Sequence, residues 1–297
     1  KDVVNQFEQP QKPIFLIVGC ARSGTTLLYQ YLANSGVFNF PTNLVSRFYY
    51  APYIGMRIQQ MLIDYDYNNE VFPEETSINY SSNLGKTKGA KAPHEFWYFW
   101  RRFFQFGDIQ KLTKEQLREV NWTLLLSELA AMEAVYRKPL LMKGMNLNWN
   151  LLDVEKNIPN VHFIHIIRET VYNAQSLLLS RKKFFDSYAE WYSFRPPKYN
   201  DLKDLSPEEQ VVQQVKITNH DICSQLDQLP RQKYTQIFYE SLCKNPFQTC
   251  SDLLELANPS SKLTNSFRNY SFSHGNTQKV DVNTFEKLEL MVHRSNA

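Results

Sequence analysis

The chain of 297 residues has a formal net charge of +3, and 43% of its residues are hydrophobic, which excludes wholesale disorder and allows a large buried core. So mild a charge does not favour a nucleic-acid partner, and we expect no membrane span because no apolar run reaches about 18 residues. The four cysteines have neither a disulfide-framework spacing nor a zinc spacing, so we expect no metal; they are Cys20, Cys223, Cys243 and Cys250.

The hydrophobic pattern alternates between strands and helices. In chain order, the predicted elements are a strand at 14–18, helices at 25–34 and 114–137, strands at 139–143 and 161–167, helices at 170–183 and 207–229, a strand at 234–239 and a helix at 245–257. This alternation is typical of an α/β fold in which helices flank a central parallel sheet. We predict a single domain over residues 1–297.

Residues 40–110 interrupt the alternation with an irregular, aromatic-rich insertion. Its densest part, residues 96–106 (FWYFWRRFFQF), has two interpretations. It is either the wall of a ligand pocket, since such walls are largely apolar, or a buried helix with Arg101 and Arg102 facing water. Residues 188–195 (YAEWYSFR) are a second candidate for an aromatic wall, and residues 184–206 around them are predicted to be a loop.

The segment after the first strand, GCARSGTT at residues 19–26, has the features of an anion-binding loop. Gly19 and Gly24 have the GxxxxG spacing of a P-loop, in which backbone N–H groups and the positive end of the next helix hold phosphate oxygens. Thr25 stands where a nucleotide kinase has lysine, and the basic residue comes earlier, at Arg22. The loop predicts a P-loop-type sheet with an anion site, without the central cation of an NTPase.

A basic residue followed by Ser-Gly-Thr-Thr resembles the 5′-phosphosulfate loop of the sulfotransferases that use 3′-phosphoadenosine 5′-phosphosulfate (PAPS), most of all in the tyrosylprotein, Golgi and bacterial branches. The family's second signature is an arginine at a strand end with a serine eight residues later, and Arg168 and Ser176 match it. Arginine can hold a phosphate through two hydrogen bonds. The resemblance implies PAPS as co-substrate, contacted by Arg22, Ser23, Gly24, Thr25, Thr26, Arg168 and Ser176.

Three looser matches extend the resemblance over residues 14–281. Lys143 ends the second predicted strand, where the family has a lysine facing the sulfuryl group. Tyr239 begins a segment like the one after the family's last core strand, and it is included among the nucleotide-binding residues. Residues 271–281 resemble the C-terminal loop over the nucleotide, although the glycine-rich form of that loop is absent. Its candidate contacts are Ser273, Asn276 and Lys279.

The resemblance implies in-line transfer of a sulfuryl group, without a metal, to a hydroxyl or amine of a carbohydrate, a phenol or a small metabolite. Adenosine 3′,5′-bisphosphate would be the leaving group. Because charge builds on the leaving oxygen, fixed cations and backbone donors should dominate catalysis. Arg22 and Lys143 are the expected catalytic cations. The sequence determines neither the acceptor nor the oligomeric state.

An acceptor hydroxyl also needs a general base within reach. Related Golgi enzymes have a glutamate shortly after the loop threonines, but residues 42–44 (TNL) offer no carboxylate. The insertion contains other candidates, and among them we expect Glu75 or His94 to be the base. The full set is Glu74, Glu75, His94 and Glu95.

Two other functions stay open. One is a nucleotide kinase with a degenerate loop, which would require magnesium and ATP. The other is a non-catalytic sulfotransferase-like protein that binds a ligand without turnover, and the missing carboxylate at residues 42–44 keeps it open.

We expect a cytoplasmic location, because Cys20 lies in the loop and no disulfide pattern is evident. The alternative is the Golgi lumen, for a chain that has lost an anchor. Glycans could then attach at the sequons of Asn79, Asn121 and Asn269.

Overall fold

The computed structural model describes residues 3–71, 80–258 and 263–294. In these residues, four strands form one parallel sheet in the order β2-β1-β3-β4. They are β1 (Ile14–Val18), β2 (Leu140–Lys143), β3 (Val161–Ile167) and β4 (Tyr234–Phe238). The prediction of an α/β fold built on a parallel sheet is confirmed.

Helices surround this sheet. Within the described residues, they are α1 (Thr25–Asn34), α2 (Pro52–Asp64), α3 (Trp97–Phe103), α4 (Lys114–Arg118), α5 (Trp122–Tyr136), α6 (Leu151–Asn157), α7 (Thr170–Phe185), α8 (Tyr199–Leu202), α9 (Pro207–Leu226), α10 (Tyr239–Lys244), α11 (Pro246–Ala257), α12 (Asn265–Arg268) and α13 (Val282–Arg294). Short 3₁₀ helices lie at Val4–Gln6, Val45–Phe48, Met145–Leu147 and Arg231–Lys233. None of the helices in the described ranges has the length and apolar character needed to cross a lipid bilayer.

The side chains of β1 divide the core between the two faces of the sheet. Ile14, Leu16 and Val18 join a cluster with α3, α5, α6 and α9. Phe15 and Ile17 join a second cluster with α1 and α11. All of β1 is buried, since a central parallel strand is covered on both faces. Burying each of these side chains contributes about 1.5–3 kcal/mol, which fixes the start of the loop that follows.

The strand order reverses beside β1. This strand pairs with β2 on one side and with β3 on the other, so the chain crosses from one edge of β1 to the other after β2. In open α/β sheets, ligands bind at the carboxyl ends of the strands beside such a reversal. Residues 19–26 leave β1 at this point, and Lys143 and Arg168 stand at the ends of the neighbouring strands.

The helix predicted over residues 114–137 is two helices, α4 and α5. Thr113 and Gln116 form a capping box at the start of α4. The side chain of Asn121 then accepts a hydrogen bond from the Leu124 N–H group over 2.9 Å, which starts α5 as a separate helix.

The aromatic insertion is more regular than predicted, because it contains α2 and α3. In α3, Phe99, Trp100 and Phe103 are buried and Arg101 is exposed, as the buried-helix interpretation requires. Arg102 does not face water: its guanidinium forms an ion pair with Glu128 over 2.7 Å. The loop predicted over 184–206 also contains the short helix α8.

Candidate active site

Residues 19–26 form a glycine-framed loop with open backbone donors. Gly24 has φ +100°, and a side chain there would overlap the ring of Tyr239. A Cβ on Gly19 would come within 2.7 Å of a backbone carbonyl oxygen. No side chain caps α1, and the N–H groups of Thr25 and Thr26 have no backbone partner in the described residues. A helix start of this kind can hold an anion.

Asparagine side chains outside the loop hold its backbone in place. Asn148 accepts a hydrogen bond from the Gly19 N–H group over 3.2 Å and donates one to the Gly19 carbonyl over 3.0 Å. Asn173 donates to the Ala21 carbonyl over 2.7 Å. Sequence analysis missed both asparagines, because no local pattern indicates a contact so distant along the chain.

Within this loop, Ser23 has a buried polar group. The residue is fully buried, and its hydroxyl has no hydrogen-bond partner in the described structure. A buried polar group without a partner is destabilising by about 1–3 kcal/mol. The hydroxyl and the open N–H groups together fit a loop that takes up an anionic ligand.

Arg22 and Arg168, the arginines of the two family motifs, meet on the α7 side of the loop. Arg22 Nε donates to the Ser176 hydroxyl over 3.2 Å. Arg168 donates to the Arg22 carbonyl over 3.1 Å, and its guanidinium lies 4.7 Å from the ring centroid of Tyr239. Burial lowers the pKa of Arg168, an effect that Tyr239 and Glu240 oppose. The structure therefore brings together residues that are far apart in sequence.

The C-terminal segment lies against Arg168. Arg168 Nε donates to the Asn276 side chain over 2.8 Å, and a terminal nitrogen of Arg168 donates to the Gly275 carbonyl over 3.0 Å. A Cβ placed on Gly275 would lie 3.6 Å from that Arg168 nitrogen and 3.7 Å from Lys279 Nζ. Ser273 lines the same cavity as Arg168. The three contacts predicted in this segment thus lie near the arginine.

Lys143 joins the loop to a carboxylate. It ends β2 and is 3% exposed. Its Nζ donates to Thr26 Oγ1 and to Glu95 Oε1, each over 2.7 Å. The indole N–H group of Trp97 donates to the other oxygen of Glu95 over 2.6 Å. A buried cation and an oriented carboxylate therefore lie side by side at the start of α1.

The structure separates the candidates for the general base. Glu74 and Glu75 lie outside the described residues. His94 Nδ1 accepts a hydrogen bond from the Phe96 N–H group over 2.9 Å, so only its Nε2 remains available. Burial is the largest cause of the lowered pKa of His94. Glu95, which sequence analysis ranked behind Glu75 and His94, is the carboxylate in contact with Lys143.

An unusual backbone conformation presents Glu95. Phe96 has φ +57°, in the left-handed region that bulky residues rarely adopt, and such a residue is strained by about 1–3 kcal/mol. Its ring is buried and stacks on Phe99 at 5.1 Å between centroids. Phe96 separates Glu95 from Trp97, so this packed turn sets the geometry of their hydrogen bond.

Two cavities meet at Glu95. The loop cavity, of about 480 Å³, is lined by Arg168, by Tyr192 of the second aromatic segment, and by residues in and just after the loop, namely Ala21, Arg22, Gly24, Thr25, Thr26 and Leu27. The α3 cavity, of about 630 Å³, is lined by residues of α3 and of the segments before it. Glu95, Trp97 and Gly85 line both cavities.

Gly85 lies where the two cavities touch. The backbones of Asn83 and Lys86 exchange hydrogen bonds of 2.9 and 3.0 Å around a tight turn. Leu84 and Gly85 in this turn have φ of +50° and +90°, which the turn requires at both central positions. A Cβ on Gly85 would lie 2.9 Å from Glu95 Oε1, so a residue without a side chain lets the turn approach the carboxylate.

Comparison with known proteins agrees with this geometry. A model of the sulfotransferase family matches residues 13–259. Sulfotransferase STF1 from Mycobacterium tuberculosis H37Rv has a similar fold, with a TM-score of 0.52, 13% identity and coverage of 98% of this chain and 78% of that one. For STF9 from Mycobacterium avium, these values are 0.50, 12%, 99% and 70%. No curated protein matches the sequence significantly. Because the family model spans most of the chain, this protein belongs to the sulfotransferase family.

Proposed function

We propose that this protein transfers a sulfuryl group from PAPS to a hydroxyl group of an acceptor. The observation that carries the proposal is the position of Lys143, whose Nζ lies 2.7 Å from both Thr26 Oγ1 in the loop and Glu95 Oε1. A cation that contacts both the anion loop and a carboxylate is suited to a transfer between two oxygens. It balances charge on one side and orients a proton acceptor on the other.

The chain contains the groups that would hold PAPS. The loop N–H groups, Ser23 and Arg22 would bind the 5′-phosphosulfate, and Arg168 and Ser176 would bind the 3′-phosphate. The remaining contacts would come from Tyr239 and from the C-terminal segment, through Ser273, Asn276 and Lys279. The open donors of α1 and the partnerless hydroxyl of Ser23 support this fit. When bound, PAPS supplies the activated sulfuryl group.

Arg22, Lys143 and the loop N–H groups place fixed positive charge where negative charge increases during transfer. Such preorganised donors stabilise the transition state most in a site that excludes water. Lys143 is suited to this role because it is nearly inaccessible and its hydrogen bonds fix its ammonium group. Arg22 is held against Ser176 on the other side of the loop.

Glu95 is the general base in this proposal. The Lys143 ammonium and the Trp97 N–H group fix its carboxylate, which receives the proton of the acceptor hydroxyl. Glu95→Gln should lower kcat by about 10²–10⁴-fold, while the affinity for adenosine 3′,5′-bisphosphate stays within about threefold. The exposed Glu119→Gln is the matched control.

His94→Gln and Glu75→Gln test the other candidate bases by the same assay. If His94→Gln or Glu75→Gln lowers kcat by this amount and Glu95→Gln does not, the base is misassigned. That result would leave the proposed assignment of the nucleotide-binding residues unchanged.

The function itself is tested with calorimetry and labelled PAPS. Adenosine 3′,5′-bisphosphate should bind without magnesium and more tightly than ATP, and label should pass to members of a mixed panel of sugars and phenols. Tighter binding of ATP with magnesium would favour a kinase. Nucleotide binding without any transfer would favour the non-catalytic alternative. The cytoplasmic location stays a prediction.

A further inference from the structure

The α3 cavity has cations that the transfer chemistry does not use. Arg47, Lys86 and Arg101 line it, and all three are exposed. None of them forms an ion pair with a carboxylate of the described residues. Among the residues that the structure describes, the one acidic residue in the lining is Glu95, which is already paired with Lys143. The wall therefore has an unbalanced positive charge.

These cations come from three separate segments. Arg47 belongs to the 3₁₀ helix Val45–Phe48, Lys86 to the turn around Gly85, and Arg101 to α3. Their convergence on one cavity is a tertiary arrangement, since a run of basic residues along one element would not produce it. A concave wall with charge of one sign concentrates ligands of the opposite sign.

Arg102 provides an internal comparison. It follows Arg101 in α3, but two of its nitrogens donate to the two carboxylate oxygens of Glu128, each over 2.7 Å. The fold thus neutralises one arginine of the pair and leaves the other facing the cavity. Arg102 serves packing, whereas Arg101 is available to a ligand.

The walls of the cavity are tied together, so the cations do not lie on unconnected loops. Asn43 donates to the Gly89 carbonyl over 2.8 Å and to the Thr87 hydroxyl over 3.1 Å. The Thr87 hydroxyl donates to the Pro93 carbonyl over 2.9 Å. Tyr98 is 59% exposed and gives the cavity an aromatic surface, on which the apolar face of a sugar ring can pack.

We propose that the acceptor is an acidic sugar, which enters the α3 cavity with its negative group on Arg47, Lys86 and Arg101 and a hydroxyl directed to Glu95. The inference rests on the proposed sulfuryl transfer and adds a substrate class to it. Hydrogen bonds between ionised partners are about twice as strong as neutral ones. The three cations should therefore select for a charged group on the acceptor.

A matched pair of ligands tests this inference. 4-Nitrophenyl β-D-glucoside and 4-nitrophenyl β-D-glucuronide differ only at C6, where the second has a carboxylate. We would titrate each into the protein saturated with adenosine 3′,5′-bisphosphate and follow binding by NMR. The glucuronide should bind at least about tenfold more tightly at low salt, and high salt should reduce the difference. The glucoside 6-sulfate tests whether a sulfate can replace the carboxylate.

Substitutions assign the preference to the cavity. The triple variant Arg47→Ala, Lys86→Ala and Arg101→Ala should lose the preference, and each single variant should lose part of it. Lys88→Ala is the matched control, because Lys88 is an exposed lysine of the same segment outside the lining. Unchanged affinity for adenosine 3′,5′-bisphosphate would show that the variants are folded.

Equal affinities for the two sugars, no binding of the glucuronide, or a preference that survives in the triple variant would each overturn the inference. Nucleotide binding and transfer to neutral acceptors are measured separately. If both occur while the acidic sugar has no advantage, the proposed function stands and only the acceptor class fails. If the nucleotide does not bind, the proposed function fails first.

Discussion

The loop cavity and the α3 cavity share Glu95 but are built from different parts of the fold. The loop cavity lies at the ends of parallel strands, beside the loop after β1 and Arg168 after β3. Lys143 at the end of β2 contacts Thr26 and Glu95 of its lining. The α3 cavity is assembled from turns and one short helix of the insertion. Under the proposed function, the sheet edge would hold the nucleotide that is common to every turnover, and the loop-rich insertion would receive the acceptor.

The cations beside the two cavities also differ in whether protein groups hold them in place. Lys143 and Arg168 have protein partners that fix their geometry. Arg47 and Arg101 have no ion-pair partner in the described chain. We expect substitutions in the loop cavity to affect chemistry and nucleotide affinity, and those in the α3 cavity to affect acceptor choice.

The largest effect should come from Lys143→Met. Removing a positioned donor of this kind lowers kcat by about 10²–10³-fold, whereas nucleotide affinity should change little. Transfer of label from PAPS and calorimetry with adenosine 3′,5′-bisphosphate measure the two quantities, with the exposed Lys138→Met as control. Losses of equal size in affinity and kcat/KM would break the division of roles, because Lys143 would then act in ground-state binding.

Arg168→Ala should weaken the binding of adenosine 3′,5′-bisphosphate by about 10–150-fold, since a lost charged hydrogen bond corresponds to about 1.5–3 kcal/mol. Affinity for ligands of the α3 cavity should stay the same. Arg168→Lys keeps the charge without the paired donors and should give an intermediate loss. Calorimetry measures the nucleotide affinity of these variants, with the exposed Arg118→Ala as control. Full affinity in Arg168→Ala would remove this residue from the nucleotide site.

Gly85→Ala tests whether the turn between the two cavities sets the position of the Glu95 carboxylate. Its Cβ would press on Glu95 Oε1, and because small displacements of a catalytic group are costly, kcat should fall by about 10–100-fold with nucleotide affinity unchanged. Gly36→Ala is the matched control, because Gly36 also has a left-handed φ, of +71°, but its Cβ would meet nothing within 4 Å. An equal fall in kcat for the two variants would show that backbone strain, not contact with Glu95, lowers the rate.

The last expected effect concerns stability in acid and leaves the active-site residues unchanged. Burial lowers the pKa of His162 and His165, both on β3, from 6.5 to about 4. Between these values, the unfolded chain binds more protons than the folded chain, so the free energy of unfolding falls as the pH drops from 6.5 towards 4. From about pH 7 to about pH 5, the loss is at most about 2 kcal/mol per histidine.

Urea unfolding of the wild type and of His165→Gln measures this loss. The variant should lose part of the pH dependence, because one of the histidines with a lowered pKa is removed. An unchanged slope would show that His165 is not protonated on unfolding. Since β3 leads into Arg168, acid should weaken the sheet side of the molecule that supports the loop cavity.

The sequence predicted the sheet side well because strand ends follow simple rules. The bounds of β1 and β3 agree with the prediction, and the family signature located Arg22, Arg168 and Ser176, which the structure brings together. The contact of Asn148 with the loop was not predicted, because its partner Gly19 is 129 residues away along the chain. The single-domain organisation over residues 1–297 stays a prediction.

The α3 side, where the acceptor is proposed to bind, could not be predicted in the same detail. Selecting Glu95 from the candidate bases depends on the left-handed conformation of Phe96, which no local sequence pattern indicates for an aromatic residue. The convergence of Arg47, Lys86 and Arg101 depends on how three separate segments pack. Both are tertiary features, and neither hydrophobic periodicity nor residue spacing contains them.

The double contact between Asn148 and Gly19 has a consequence for binding kinetics. A residue whose N–H group and carbonyl are both engaged by one side-chain amide is held in one backbone conformation while a ligand approaches. Fixing a backbone residue removes conformational entropy worth about 1–2 kcal/mol, and here that loss occurs during folding. Association of the nucleotide with this part of the loop should therefore proceed without a slow rearrangement of the Gly19 backbone.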